Sequence, residues 1–117
     1  MLRIVVAVSA AASLALAATA QASTPTLNGQ TGPGFSIVLK QAGKAVTSLK
    51  AGTYKLVVAD KSPIHDFHLI GPGLSKVVTS VPFVGTKTVT VTLKRGTYTY
   101  QCDPHAARGM KGTFKVR

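Results

Sequence analysis

From residue 35 onward, apolar and polar positions alternate with a period of two. Phe35, Ile37 and Leu39 alternate with Ser36, Val38 and Lys40, and Tyr54, Leu56 and Val58 with Lys55, Val57 and Ala59. Between Thr88 and Lys94, Val89, Val91 and Leu93 occupy one face and threonines the other. Tyr98, Tyr100 and Cys102 share a face, as do Phe114 and Val116. Residues two apart on an extended chain point the same way, so these segments are predicted as half-buried strands. Ala42-Gly43-Lys44, Lys50-Ala51-Gly52, Gly71-Pro72-Gly73 and Lys94-Arg95-Gly96 interrupt the alternation as turns do. No stretch of a dozen residues beyond residue 22 carries a helical period, and no repeat is visible. Short strands with regular turn signals predict an all-β fold of six to eight strands, a β-sandwich or small barrel, in one domain.

The N-terminal segment has a different organisation. Met1-Leu2-Arg3 is a short basic start, and Ile4 to Ala18 is almost wholly apolar or small. Ala20-Gln21-Ala22 then offers a small-x-small cleavage pattern, with Ala18-Thr19-Ala20 as a second option. This is the layout of an export signal, expected over residues 1–22. An uncleaved anchor is the alternative, but the apolar run is at the short limit for spanning a bilayer. After cleavage no stable membrane insertion is expected, and the protein is placed in the periplasm, the cell envelope or the extracellular space. Residues 23–34 are mostly Ser, Thr, Pro, Asn, Gln and Gly and read as a flexible leader, which leaves 35–117 as the folded domain. So small a domain buries one modest core and gains from a metal or a disulfide. The chain has a single Cys, so an internal disulfide is excluded and a metal is the natural staple.

Lys and Arg number 14 against 3 acidic residues. A field of that sign speeds encounter with acidic partners. It does not point to nucleic acid, because export removes the chain from it and the lysines are spread singly rather than gathered in a stripe.

The chemistry is concentrated in Tyr98-Thr99-Tyr100-Gln101-Cys102-Asp103-Pro104-His105-Ala106-Ala107-Arg108-Gly109-Met110. A thiolate, an imidazole and a thioether lie within nine residues at the end of a predicted strand. Soft sulfur with imidazole suits copper in both oxidation states. Zinc gains little from a thioether, and calcium or magnesium would want an oxygen cage where the loop offers only Asp103. A second imidazole is available upstream in Ile64-His65-Asp66-Phe67-His68-Leu69. In an extended segment His65 shares a face with Phe67 and Leu69, while Asp66 and His68 point the other way. His65 is therefore assigned to the metal, and His68 to the surface near a carboxylate. Pro104 should restrict the loop, and Gly109 should supply an unusual dihedral before Met110.

Cys102-x-x-His105-x-x-x-x-Met110 resembles the ligand loop of plastocyanin-like cupredoxins, and His65-Asp66-Phe67 falls where those proteins carry a His followed by Asn. The similarity covers about Phe35 to Arg117. It implies a Greek-key sandwich with one copper ion, cycling between Cu(I) and Cu(II), at one end. It also implies His65, Cys102 and His105 as equatorial ligands, Met110 as a long axial one, and His105 as the electron port. The function implied is a type 1 copper electron carrier, a monomer serving redox partner proteins. A copper chaperone or buffer would use the same ligands, and a metal-free basic interaction module is the reading without them. No enzyme is expected: there is no Ser/His/Asp set in a motif, no paired Glu and no phosphate loop, and no third residue is evident to orient a Cys102–His105 pair. The departure from the family is Asp66 in place of the Asn that commonly ties this strand to the loop after the Cys, where this chain has Asp103. Two approaching carboxylates repel unless one is protonated, they are separated, or a cation bridges them; Arg108 and Lys111 are available by sequence.

Overall fold

Ten strands and one short 3-10 helix make up the computed structural model, which describes residues 7–13 and 23–117. The strands are β1 Thr26–Thr31, β2 Ile37–Gln41, β3 Lys44–Ala45, β4 Ser48–Leu49, β5 Gly52–Asp60, β6 Phe67–Gly71, β7 Leu74–Thr79, β8 Gly85–Leu93, β9 Gly96–Gln101 and β10 Lys111–Val116. They form two five-stranded sheets, ordered β3-β2-β1-β5-β8 and β4-β10-β9-β6-β7. Most pairings are antiparallel, but β1 runs parallel to β5 and β4 parallel to β10. The all-β sandwich expected from the alternation is the fold. The strand number exceeds six to eight partly because β3 and β4 are two-residue pairings too short to show a period.

The inward faces follow the predicted alternation. Leu27, Leu39, Leu56, Val58, Val91 and Leu93 from one sheet are buried against Phe67, Leu69, Tyr98 and Phe114 from the other. Tyr98 stacks on Phe114 with ring centroids 5.3 Å apart, and its hydroxyl accepts the Lys94 N–H at 2.9 Å. Gly71 lies beneath the Tyr98 ring, where a Cβ would overlap the ring carbons. Gly71→Ala should therefore destabilise the fold by about 3 kcal/mol, the upper range for overpacking a core. Denaturant titration of the copper-free protein measures this, and an unchanged midpoint would show that the ring moves aside freely.

The expectation of a flexible leader over residues 23–34 is corrected by β1. Thr26–Thr31 is a central strand, paired with β2 on one side and β5 on the other. Its inward residues are Leu27, Gly29 and Thr31, so only one large apolar side chain marks the buried face. Gly29 is small because the Phe67 ring fills its space: a Cβ there would sit 2.9 Å from Phe67 Cε2. The strand at Phe35 is a second correction. β2 begins at Ile37, and Phe35 is 65% exposed on the preceding loop, where Gly32-Pro33-Gly34 delays the pairing. The export signal expected over residues 1–22 lies largely outside the described residues. Among the described residues, no helix is long and apolar enough to cross a membrane.

Three connections meet at one end of the sandwich: residues 32–36 after β1, 61–66 between β5 and β6, and 102–110 between β9 and β10. The first is closed by a hydrogen bond from Gly32 N–H to the Ser36 carbonyl at 2.9 Å.

Candidate metal centre

His65 reaches the interior because the segment after β5 turns sharply. Asp60 Oδ1 accepts the Ser62 N–H at 3.2 Å, Ser62 Oγ accepts the Ile64 N–H at 3.4 Å, and the His65 N–H reaches the Ser62 carbonyl at 3.4 Å. Ile64 is turned outward and His65 is fully buried. Cys102 follows β9 directly and is buried as the last inward residue of Tyr98, Tyr100 and Cys102. The chain then forms the 3-10 helix Asp103–Arg108, with Pro104 in its first turn, where no N–H partner is required. Gly109 ends it at φ 92°, the left-handed region expected of this glycine, and donates to the Ala106 carbonyl. The loop is clasped by Cys102 N–H to Met110 C=O at 3.0 Å and His105 N–H to Cys102 C=O at 3.1 Å.

The loops bring three donor atoms together. His65 Nδ1 and His105 Nδ1 are 3.1 Å apart, and Cys102 Sγ lies 3.6 Å from the first and 3.4 Å from the second. A point equidistant from the corners of that triangle is about 2.0 Å from each, the length of a metal–imidazole bond. His65, Cys102 and His105 thus form a group able to hold a metal ion. Met110 is buried at the end of the same loop, and His105 is half-buried. Burial pushes the Cys102 thiol above its ordinary pKa, so binding of a thiolate-seeking metal releases a proton. His105 is held below the usual imidazole value by desolvation and by the charges of His65 and Arg108, which favours the neutral ring that a metal requires. Phe35 covers the group, its ring edge-on to both imidazoles with centroids 5.6 Å from His65 and 4.9 Å from His105. The sequence pattern gave Phe35 to the core; the preceding Gly-Pro-Gly was the signal that the strand had not yet begun.

Behind Cys102, the two acidic residues divide their roles. Asp66 is buried, and its Oδ1 accepts the Asp103 N–H at 2.6 Å, tying the His65 segment to the Cys102 loop. Burial, with the nearby Asp103 carboxyl, raises the Asp66 pKa. Asp103 goes the other way: burial pushes it up, but hydrogen bonds from Gln101 and His68 outweigh this and hold it below its ordinary value. His68 sits on the outer face of its sheet as expected, with Nδ1 2.9 Å from Asp103 Oδ1 and Nε2 2.8 Å from Ser75 Oγ. Gln101 Nε2 donates to Asp103 Oδ1 at 2.9 Å. His68 and Gln101, rather than the Arg108 or Lys111 available by sequence, engage the Asp103 carboxylate. Neither Ser75 nor Gln101 carried a signal in the sequence, because strand register alone brings them together.

Asp66→Asn should stabilise the copper-free protein at neutral pH by on the order of 1 kcal/mol, since Asn Oδ1 can still accept the Asp103 N–H without a buried charge. Because the folded-state pKa of Asp66 is raised, the stability this carboxyl permits is complete below its unfolded value and declines as pH rises through the folded one. The advantage of Asn should therefore vanish in acid, below about pH 3.9, and grow towards neutrality. Denaturant midpoints across that range measure it, and a pH-independent difference would contradict the assignment.

Comparison with known proteins agrees with this geometry. Residues 36–117 match the copper binding proteins of the plastocyanin/azurin family. No curated protein matches the chain. Among solved structures, the copper protein rusticyanin superposes with a TM-score of 0.60 at 24% identity, over 83% of this chain and 80% of that one. Rusticyanin from Thiobacillus ferrooxidans gives 0.55 at 24% identity, over 83% and 79%. A laccase from Pediococcus acidilactici gives 0.59 at 18% identity, over 83% of this chain but 28% of the laccase. At such identities the superpositions speak for the fold, whereas the family match spans most of the chain and includes Cys102, His105 and Met110. The chain belongs to the plastocyanin/azurin family of copper-binding proteins, and its cofactor is one copper ion.

Proposed function

We propose that this protein is an exported one-electron carrier and not an enzyme, with His65, Cys102 and His105 as the strong copper ligands and Met110 as a weak axial one. The observation that carries the reading is the convergence of two imidazole nitrogens and one sulfur within 3.1–3.6 Å of one another, held by loops that are already hydrogen-bonded. Bound there, copper would supply a one-electron couple whose two oxidation states accept nearly the same ligand geometry. The protein's part is to hold that geometry: the Cys102 N–H to Met110 C=O clasp and the Asp66 link to Asp103 N–H restrain both arms of the site. Four protein donors leave no open position for a substrate. The half-buried His105 gives an outward path for the electron, and the excess of Lys and Arg favours an acidic redox partner. Export and action as a monomer are part of the same reading.

Protein-film voltammetry tests this directly. A carrier should show a reversible one-electron couple and keep its copper through repeated cycles. Its electron-transfer rate with an acidic partner should fall as salt rises. An irreversible couple, with Cu(I) passing rapidly to a competing chelator, would support metal delivery instead.

A further inference from the structure

The inward face of the sandwich changes character next to the metal group. Along β5, Tyr54, Leu56 and Val58 are followed on the same face by Asp60, which is 1% exposed. Along β1, Leu27 and Gly29 are followed by Thr31, which is register partner to Asp60 and fully buried. On the facing sheet, Thr79 lies opposite Phe67 and is also fully buried. Among the described residues, four buried side-chain polar atoms have no hydrogen-bond partner: Asp60 Oδ2, Thr31 Oγ1, Thr79 Oγ1 and His65 Nε2. These are the polar residues that close the core at its metal end. Asp60 and His65 are joined through Ser62, whose N–H binds Asp60 Oδ1 and whose carbonyl accepts the His65 N–H. Gly32, next to Thr31, faces the far edge of the imidazole: a Cβ there would be 2.9 Å from His65 Cδ2, 3.2 Å from Ser62 Cβ and 3.7 Å from His65 Nε2.

The four atoms are chemically complementary. When His65 presents the lone pair of Nδ1 to a metal, Nε2 carries the proton and must donate. Asp60 Oδ2 is an acceptor, and each threonine hydroxyl can do either. A buried polar group left unpaired costs about 1–3 kcal/mol, so each of the four calls for a partner. A buried water bridges such groups when two to four polar atoms surround it.

We propose that Asp60 is a positioning residue for the copper ligand His65, taking the Nε2 proton in a hydrogen bond through buried water that the Thr31 and Thr79 hydroxyls help to hold. The inference rests on the copper reading of His65. An acceptor behind the imidazole fixes its tautomer, locks the ring and makes Nδ1 a stronger donor. Asp60 would therefore act on the metal through the His65 ring, without touching it.

Asp60→Asn separates this role from a structural one, because Asn Oδ1 can still accept the Ser62 N–H while the second oxygen becomes a donor. In the copper-loaded variant, Cu(II) affinity should fall by roughly 10–100-fold, the usual cost of losing such a partner. The reduction potential should rise, because a weaker imidazole donor favours Cu(I). In the Cu(I) protein the His65 Nε2–H resonance should move and exchange faster. Unchanged affinity and an unchanged His65 resonance in a folded Asp60→Asn protein would overturn the proposal. If that variant does not fold, a high-resolution crystal structure of the copper-loaded wild type decides. Water between Asp60 Oδ2 and His65 Nε2 supports the assignment, and a backbone carbonyl as the sole acceptor for Nε2–H overturns it. A wild-type protein that takes up copper normally while Asp60 proves inert sinks this inference alone. A wild type that forms no thiolate–copper bond sinks the functional reading and this inference with it.

Discussion

Cys102→Ser should abolish the intense visible band of the copper-loaded protein and lower copper affinity by at least about 100-fold, given that losing a mere outer-shell partner already costs 10–100-fold. The band belongs to the thiolate–copper bond of blue sites, and Cys102 is the chain's only source of a thiolate. The side chain is buried, with Sγ 3.4 Å and 3.6 Å from the two imidazole nitrogens, so a serine oxygen would keep the shape of the site and lose only the soft donor. The histidines supply the matching contrast. His65→Ala should also remove the colour, because its Nδ1 is one corner of the triangle. His68→Ala should retain it, because both ring nitrogens of His68 are engaged by Asp103 and Ser75 on the outer face of the sheet. Absorption spectra of the three variants with one equivalent of Cu(II) test Cys102 as the thiolate and decide between His65 and His68 as the upstream imidazole. A colourless His68→Ala beside a blue His65→Ala would reverse the assignment.

Removing copper should lower the melting temperature by about 16–33 °C relative to the protein in free copper at about 1,000 times the dissociation constant. Binding to the folded state alone stabilises by about 4.1 kcal/mol at that excess, and each kcal/mol shifts a domain of this size by about 4–8 °C. The structure shows why the metal-free state is the weaker one. Two imidazole nitrogens lie 3.1 Å apart beside a buried thiol, and the chain has no disulfide to hold the loops. The remaining restraints are hydrogen bonds: those of the backbone, the Asp66–Asp103 link, the His68 and Gln101 contacts to Asp103, and the Asp60 and Ser62 bonds within the His65 turn. Calorimetry with copper and with an excess of chelator measures the difference. Coincident transitions would mean that the site contributes nothing to the fold.

Alternation in β5, β8, β9 and β10 was legible because those strands place large apolar side chains on the buried face at every second position. It failed at β1, where two of the three inward positions are Gly29 and Thr31. Gly29 is small because the Phe67 ring of the other sheet fills its space, and Thr31 pairs with Asp60 of a neighbouring strand, partners that no local window contains. It failed in the opposite sense at Phe35, an aromatic in the right phase for the core that instead covers the two imidazoles.

The sequence by itself determined the sandwich and the ligand loop. The spacing of Cys102, His105 and Met110 places three donors on one short connection, and His65 falls on the buried side with Phe67 and Leu69, although it sits in the turn before β6. Both are short-range properties, carried by periodicity and by loop length. Only the tertiary structure decided the surroundings. Asp66 meets Asp103 across 37 residues, His68 and Ser75 steady Asp103 from the outer face, and Asp60, Thr31 and Thr79 close the core behind His65. Those contacts depend on strand register and on the packing of one sheet against the other, long-range geometry that the order of residues along the chain does not display.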